Sequence, residues 1–289
     1  MFNKNFLLLL MVSVMLSANA CKKETQTPDD GAALVFKFKF DPNQVRLNNL
    51  GQPAIIAPGR AAQTPVFNSI SAHYVELIPA VFTQIGQGQV LYKAPETTQG
   101  GAQAIDFSQS KVVGENEVFL SVPIKNITPG QYPYLRVSLA YQNYDIQLNA
   151  LGMNVTGTIA SFIGYNTYVG SYKIKNTNIP INANKLQGYW GFESSYGTLQ
   201  GQAPAGATTV PNPLAATSPI PPGSCLVTGM FEQPLTITGS ETENIIIEVS
   251  LSVNNSFEWQ ETGGNNLFQP LEGDVPVDMG IRGMVARVK

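Results

Sequence analysis

What most constrains this chain is a two-residue hydrophobic period that returns in segment after segment. In LVFKFKF, Leu34, Phe36, Phe38 and Phe40 fall on one side and Val35, Lys37 and Lys39 on the other, as in a strand with one buried face. The same period recurs in SAHYVELIP (71–79), QVLYK (89–93), EVFLSVPI (117–124) and YLRVSLAY (134–141). Its longest row, Ile245, Ile247, Val249, Leu251 and Val253, predicts a central core strand, and a last strand is expected over 281–288. Residues 143–185 keep no helical stripe for three turns, strands do not alternate with helices along the chain, and no period of about twenty to fifty residues repeats. The prediction is an all-β fold: an antiparallel β-sandwich with long Gly-, Pro- and Asn-rich loops, rather than an α/β enzyme fold.

Turn chemistry supplies the punctuation. Asp41-Pro42-Asn43 ends the first strand, and NITPGQY (126–132), with Pro129-Gly130, predicts a hairpin joining the strands on either side of it. Residues 143–185 mix Gly, Asn and Thr with aromatics and are read as short strands and loops. Residues 197–224, rich in Pro, Ala and Thr, are too long for an ordinary connection and are expected to form a surface loop of one sandwich domain spanning 32–289. A Gly- and Asn-rich turn is expected at 263–266.

The N-terminus carries an address. MFNKNFLLLLMVSVMLSANAC has an early lysine, Lys4, an apolar run over 6–16, small residues, and then Cys21. That is a secretory signal, too short to span a bilayer, so residues 1–20 are expected to be removed. Cys21, followed by Lys22 and Lys23, has the pattern of an acylated first residue of a bacterial lipoprotein, and 21–31 reads as a polar tether. The residues after the cysteine do not carry an aspartate-led inner-membrane signal, so an outer-membrane location is expected, with Asp29-Asp30 suiting surface display. With lipid on Cys21, Cys225 is left without a disulfide partner. It reads as a small buried hydrophobe.

Composition removes some functions. Formal net charge is −3 and no basic run exceeds Lys22-Lys23, so the electrostatic footprint of a nucleic-acid binder is missing. His73 is the single histidine. Alternating with Val75 and Leu77, it is expected on a packed face, and without a Gly-x-Ser-x-Gly elbow it does not imply a serine hydrolase. A copper site would draw on His73, Cys225 and a methionine such as Met153 or Met230. A hydrolase would need two carboxylates across a cleft; the close pairs Glu115 with Glu117, Glu241 with Glu243, and Glu258 with Glu261 lie near turns. Asn265, Asn266, Glu272 and Asp274 offer calcium-type ligands without the order of a calcium loop. Aromatic residues in polar surroundings are the other candidates. Tyr189 and Trp190 are adjacent in a strand, face opposite ways and cannot both enter one core, so they and Trp259 are expected to contact a ligand.

The order of segments resembles that of lipoproteins related to the methanobactin-associated periplasmic protein. The opening FxF strand, AHYVEL, PGQYPYLRVSL, GYWGFESSYG, the Pro-rich loop and NIIIEVSL carry the likeness. The resemblance implies an all-β exported lipoprotein of the Bacteroidetes type and, for some members, copper and a haem-containing partner. This chain departs from it in having no histidine besides His73 and in a tryptophan segment reduced to Trp190. The expected function is a non-enzymatic envelope lipoprotein binding a glycan or an envelope protein, with no cofactor. The alternatives are a metal-handling accessory protein using His73 and a secreted hydrolase.

Overall fold

A computed structural model of the protein describes residues 31–47, 52–203 and 225–289. The expected leader, Cys21, all but the last residue of the tether, and residues 204–224 of the expected loop lie outside them. The described strands are β1 (Ala33–Asp41), β2 (Arg60–Gln63), β3 (Val66–Ile78), β4 (Gln89–Lys93), β5 (Glu96–Thr97), β6 (Ala104–Asp106), β7 (Val118–Pro123), β8 (Gly130–Ala150) and β9 (Met153–Phe162). They continue with β10 (Asn166–Lys173), β11 (Asn178–Leu186), β12 (Tyr189–Ser194), β13 (Gly197–Gln202), β14 (Cys225–Ile237), β15 (Ile245–Ser252), β16 (Phe257–Gln260), β17 (Val275–Met279) and β18 (Met284–Val288). The only described helices are single 3₁₀ turns, none of them long and apolar enough to cross a membrane. The fold is all-β.

One large sheet runs β13-β12-β9-β8-β14-β18-β15-β1-β7, with β3 on β8 and β4 on β3. Two smaller sheets, β11-β10-β6-β5 and β17-β16-β2, lie beside it. Most neighbours are antiparallel, but β1 with β15, β14 with β18, and β6 with β10 run parallel. The predicted rows form the main core. Leu34, Phe36, Phe38 and Phe40 of β1 and Ile247, Val249 and Leu251 of β15 pack with Ile70, Ala72, Val75 and Leu77 of β3 and Leu135, Val137 and Leu139 of β8. Burying each of these side chains except that of Ala72 contributes about 1.5–3 kcal/mol. β15 is indeed interior to the sheet, between β1 and β18.

β8 is the spine, with 21 residues. One edge pairs with β3 over 134–145. The other pairs first with β14, from Gly130 to Leu139, then with β9, from Tyr141 to Ala150. Ser71 faces Tyr141 and Ala72 faces Leu139, so Ala140 is an extra residue. Its carbonyl takes the N–H groups of Ile163 and Gly164 at 2.8 and 3.0 Å. A bulge of this kind shifts the side-chain phase by one. Accordingly the buried apolar row is Leu135, Val137, Leu139 before Ala140 and Tyr144, Ile146, Leu148 after it.

Three expectations are corrected here. Residues 143–185 hold the second half of β8, then β9, β10 and most of β11; in β8 the phase change at Ala140 hides the alternation that continues to Ala150. The turn at Leu151 (φ 54) and Gly152 (φ 77) then closes a two-residue hairpin with both central residues left-handed. NITPGQY is not a hairpin turn: β7 pairs with β1, not with β8. Ile124 and Ile127 are buried in the main core, so the segment crosses over the core's end. In addition, Gly197–Gln202, expected to open the long loop, is β13, hydrogen-bonded along β12.

Beyond the bulge, both faces of the large sheet are covered. Tyr141, Phe162, Val169, Tyr172, Ile179 and Tyr189 pack between it and β10-β11. Tyr144, Ile146, Leu148 and Ile159 pack against Phe257, Trp259 and Phe268 on the side of β16. Gly157 lets Phe192 and Leu148 approach the backbone where a Cβ would stand. Replacing Gly157 with Ala is expected to destabilise the fold by about 1–3 kcal/mol through overpacking, read as a lower midpoint in urea unfolding. An unchanged midpoint would show that the Phe192 ring yields without cost.

Candidate functional site

A shallow groove runs between the 3₁₀ turn at Phe107–Gln109 and the outer face of β10, lined by Phe107, Ser108, Ser171, Lys173, Asn178 and Asn182. Its local causes are legible. Parallel pairing of Ile105 with Thr167 and of Asp106 with Tyr168 brings the chain against β10. Asp106 then caps the turn, accepting from the Ser108 N–H at 3.0 Å and Gln109 Nε2 at 2.8 Å. The Ser108 hydroxyl bond, first among these contacts, helps hold the Asp106 carboxyl below the usual range. Phe107, half-buried, lies 5.1 Å from the Tyr141 ring and 4.9 Å from Phe162, measured between centroids.

The other wall is set by the β10–β11 turn. Burial disfavours charge on Glu193, but the backbone N–H groups of Thr177, Lys175 and Asn176 donate to it and hold its carboxyl below the usual range. Lys175 pairs with Asp145 at 3.1 Å, while Lys173 is exposed on the groove. Asn182 sits at φ 51, opposite the register shift in β10. Amide, hydroxyl and ammonium groups thus surround one aromatic ring on a rigid aromatic floor. Such a surface hydrogen-bonds and stacks with a polar, extended ligand.

The residues expected to contact a ligand fare differently. Trp259 is 1% exposed and packs on Phe257 and Phe268; it is core, not contact surface. Tyr189 is likewise buried, against Phe162 and Tyr172. The expectation failed because it assumed one core, whereas this part of the sheet has a core on each face. Trp190 is half-buried, its ring lying over Gly201 across the strand pair.

His73 is fully buried. The β3–β8 register slips between Ala72 and Tyr74, so His73 is the extra residue there and turns its ring to Tyr165 and to Glu96, whose Oε1 lies 2.9 Å from Nε2. Nδ1 has no hydrogen-bond partner. Cys225 and Ala72 lie on opposite edges of β8, both paired with Leu139, which separates Cys225 from His73 by about two strand spacings, roughly 10 Å. Met153 sits far along at the β8–β9 turn and Met230 opposite Tyr134. The copper set does not meet, and among the described residues no three His, Cys, Asp or Glu side chains are grouped to hold a metal. Burial, helped by the Asp278 charge, pushes the Cys225 thiol up to about 12.

The carboxylate pairs serve turns. Glu115 accepts from Phe40 N–H and Glu117 from Gly114 N–H, Glu241 from Thr238 and Gly239, and Glu261 from Asn265 and Asn266. Asp274, a calcium candidate, is occupied by Thr262 and Gln269 N–H groups. Glu258 instead belongs to a buried ionic cluster that pattern reading missed. It pairs with Arg46, with Arg282 at 2.7 Å and with Arg60 at 3.6 Å, while Arg282 also holds Asp278. Burial opposes the charge on Glu258, yet the Arg46 bond and the arginine charges keep its carboxyl below the usual range. For Asp278, burial wins over Arg282 and the carboxyl lies above it. A second missed pair, Glu76 with Arg136 at 3.0 Å, is buried; Glu76 also accepts from Gly86 and Gly88, and Arg136 donates to Thr83 O. It ties the 80–88 loop to the sheet.

No protein-family model, no curated protein and no solved structure matches this chain.

Burial lowers the His73 pKa from 6.5 more than Glu96 raises it. A lowered folded value means that the unfolded chain takes the proton first, so stability falls as pH drops below about 6.5. Urea unfolding is expected to show less stability at pH 5.5 than at 7.5, and His73→Gln, removing the only histidine, to flatten that difference. Equal slopes for both proteins would contradict the assignment.

Proposed function

We propose that this chain is a non-enzymatic binding protein of the bacterial cell envelope, anchored through lipid on Cys21 at the outer membrane, whose β-sandwich takes a polar, extended ligand of the glycan class. The leader-and-cysteine pattern and the tether support the location. The observation that carries the binding reading is the groove along β10. There Ser108, Ser171, Asn178 and Asn182 offer donors and acceptors beside Phe107, a combination suited to hydroxyl-rich chains. Trp190 is not part of that groove's lining. The resemblance to lipoproteins related to the methanobactin-associated periplasmic protein agrees with an exported all-β module, and the proposal carries over no copper role, since His73 spends Nε2 on Glu96.

The test is a glycan array followed by calorimetry. Oligosaccharide binding is expected, weakened at least about tenfold, or 1.4 kcal/mol, by Ser171→Trp, which fills the exposed groove, and weakened by Lys173→Glu. Trp259→Phe should leave affinity unchanged. If no oligosaccharide binds, or if Ser171→Trp binds as well as the parent, the groove is not the site.

A further inference from the structure

Seven described strands end a sheet: β13, β7, β4, β11, β5, β17 and β2. An edge exposes unpaired N–H and C=O groups, and monomeric proteins guard it with charge, proline or a bulge. Six of the seven carry such a guard: Pro123 in β7, Lys93 in β4, Pro180 and Lys185 in β11, Glu96 in β5, Pro276 and Asp278 in β17, and Arg60 in β2. β13, GTLQGQ, has neither charge nor proline, and its pairing with β12 is continuous from Gly197 to Gln202 without a register shift. Its side chains stand in solvent, Leu199 at 64% exposure.

A second observation lies on the face. Trp190 pairs with Gly201 and Phe192 with Leu199, so Trp190, Phe192 and Leu199 share one side. Phe192 packs on the core beneath β16. The row therefore runs out of the core toward the free edge and is left increasingly uncovered at Leu199. Another strand added to β13 would continue the sheet and cover it.

We propose that β13 pairs antiparallel with β13 of a second copy of this chain, about a two-fold axis through Leu199. A second copy brings the same unguarded edge, so one pairing closes both. The ladder permits it. In a two-residue hairpin the closing pair, Ser194 with Gly197, exchanges both hydrogen bonds, and alternation from there turns the backbone groups of Thr198, Gln200 and Gln202 outward. The Ala203 N–H to Gly188 O bond at 2.9 Å has the same parity. Centred on Leu199, Thr198 exchanges bonds with Gln200 of the second copy and the reverse. The two Leu199 residues meet as a non-hydrogen-bonded pair, where side chains are closest. Gly197 stands opposite Gly201, whose missing side chain leaves the space that the Trp190 ring fills. No like charges are opposed.

Sedimentation equilibrium of the full chain tests this. Wild type is expected to dimerise, with dissociation in the micromolar range. Leu199→Lys sets two ammonium groups face to face and should be monomeric, as should Gln200→Pro, which removes an outward N–H. An equimolar mixture of Leu199→Lys and Leu199→Glu should recover dimers. Circular dichroism checks that each variant keeps the parent fold, which the exposure of these positions favours. A wild type that stays monomeric at concentrations on the order of 100 µM overturns the proposal, even if an extended peptide from another protein binds the edge. A dimer that survives both single variants, or a charge-swapped mixture that stays monomeric, overturns it as well.

Discussion

Everything else in this structure hangs on the backbone ladder of β8. A buried strand has to pair its N–H and C=O groups on both edges, because each unpaired group in an apolar interior costs about 1–3 kcal/mol. β8 is too long for one neighbour on each side, so β14 and β9 share one edge in succession and β3 lies along the other. Where β14 hands over to β9, Ala140 bulges, and its carbonyl is satisfied by Ile163 and Gly164. The bulge carries the apolar row to the other parity. One strand can then serve two cores, the β1–β15 core on one stretch and the Trp259 cluster on the next.

That arrangement explains where the polar surface was left open. The far half of the large sheet is covered on both faces by small sheets, and the aromatics that composition made conspicuous fill those interfaces. What remains for recognition is the outer side of the cover: the groove beside Phe107, and the uncovered edge at β13. The buried charges belong to the same economy of pairing. Glu76 with Arg136, and Glu258 with its arginines, are each satisfied by several partners. Pairs of this kind fix a loop in one geometry more than they add net stability.

Much of the fold was legible because period-two alternation is a local signal. QVLYK is β4 to the residue, and EVFLSVPI overlaps β7 closely. The row from Ile245 to Leu251 lies in the interior strand β15 that its length predicted. The signal failed where something nonlocal intervened. A one-residue bulge disguised the second half of β8, and the NITPGQY turn chemistry is the same whether the flanking strands pair or part. The candidate site was less legible still. Phe107 is announced only by the short capping sequence DFSQS, whose Asp106 bonds to the turn beside it, and the partners of Glu193 lie in the β10–β11 turn, where no local pattern points to them.

By itself, then, the sequence determined the all-β class and the location of many of its strands, because alternation fixes which face of a segment meets water regardless of what covers it. Only the tertiary structure decided which strands are neighbours and how many layers cover the sheet, and hence that Tyr189 and Trp259 are buried while Phe107 and β13 are not. The physical reason is that burial belongs to the pair of surfaces that meet. Adjacent residues facing opposite ways imply exposure only when one face is open, and here residues brought from β10, β11 and β16 closed both.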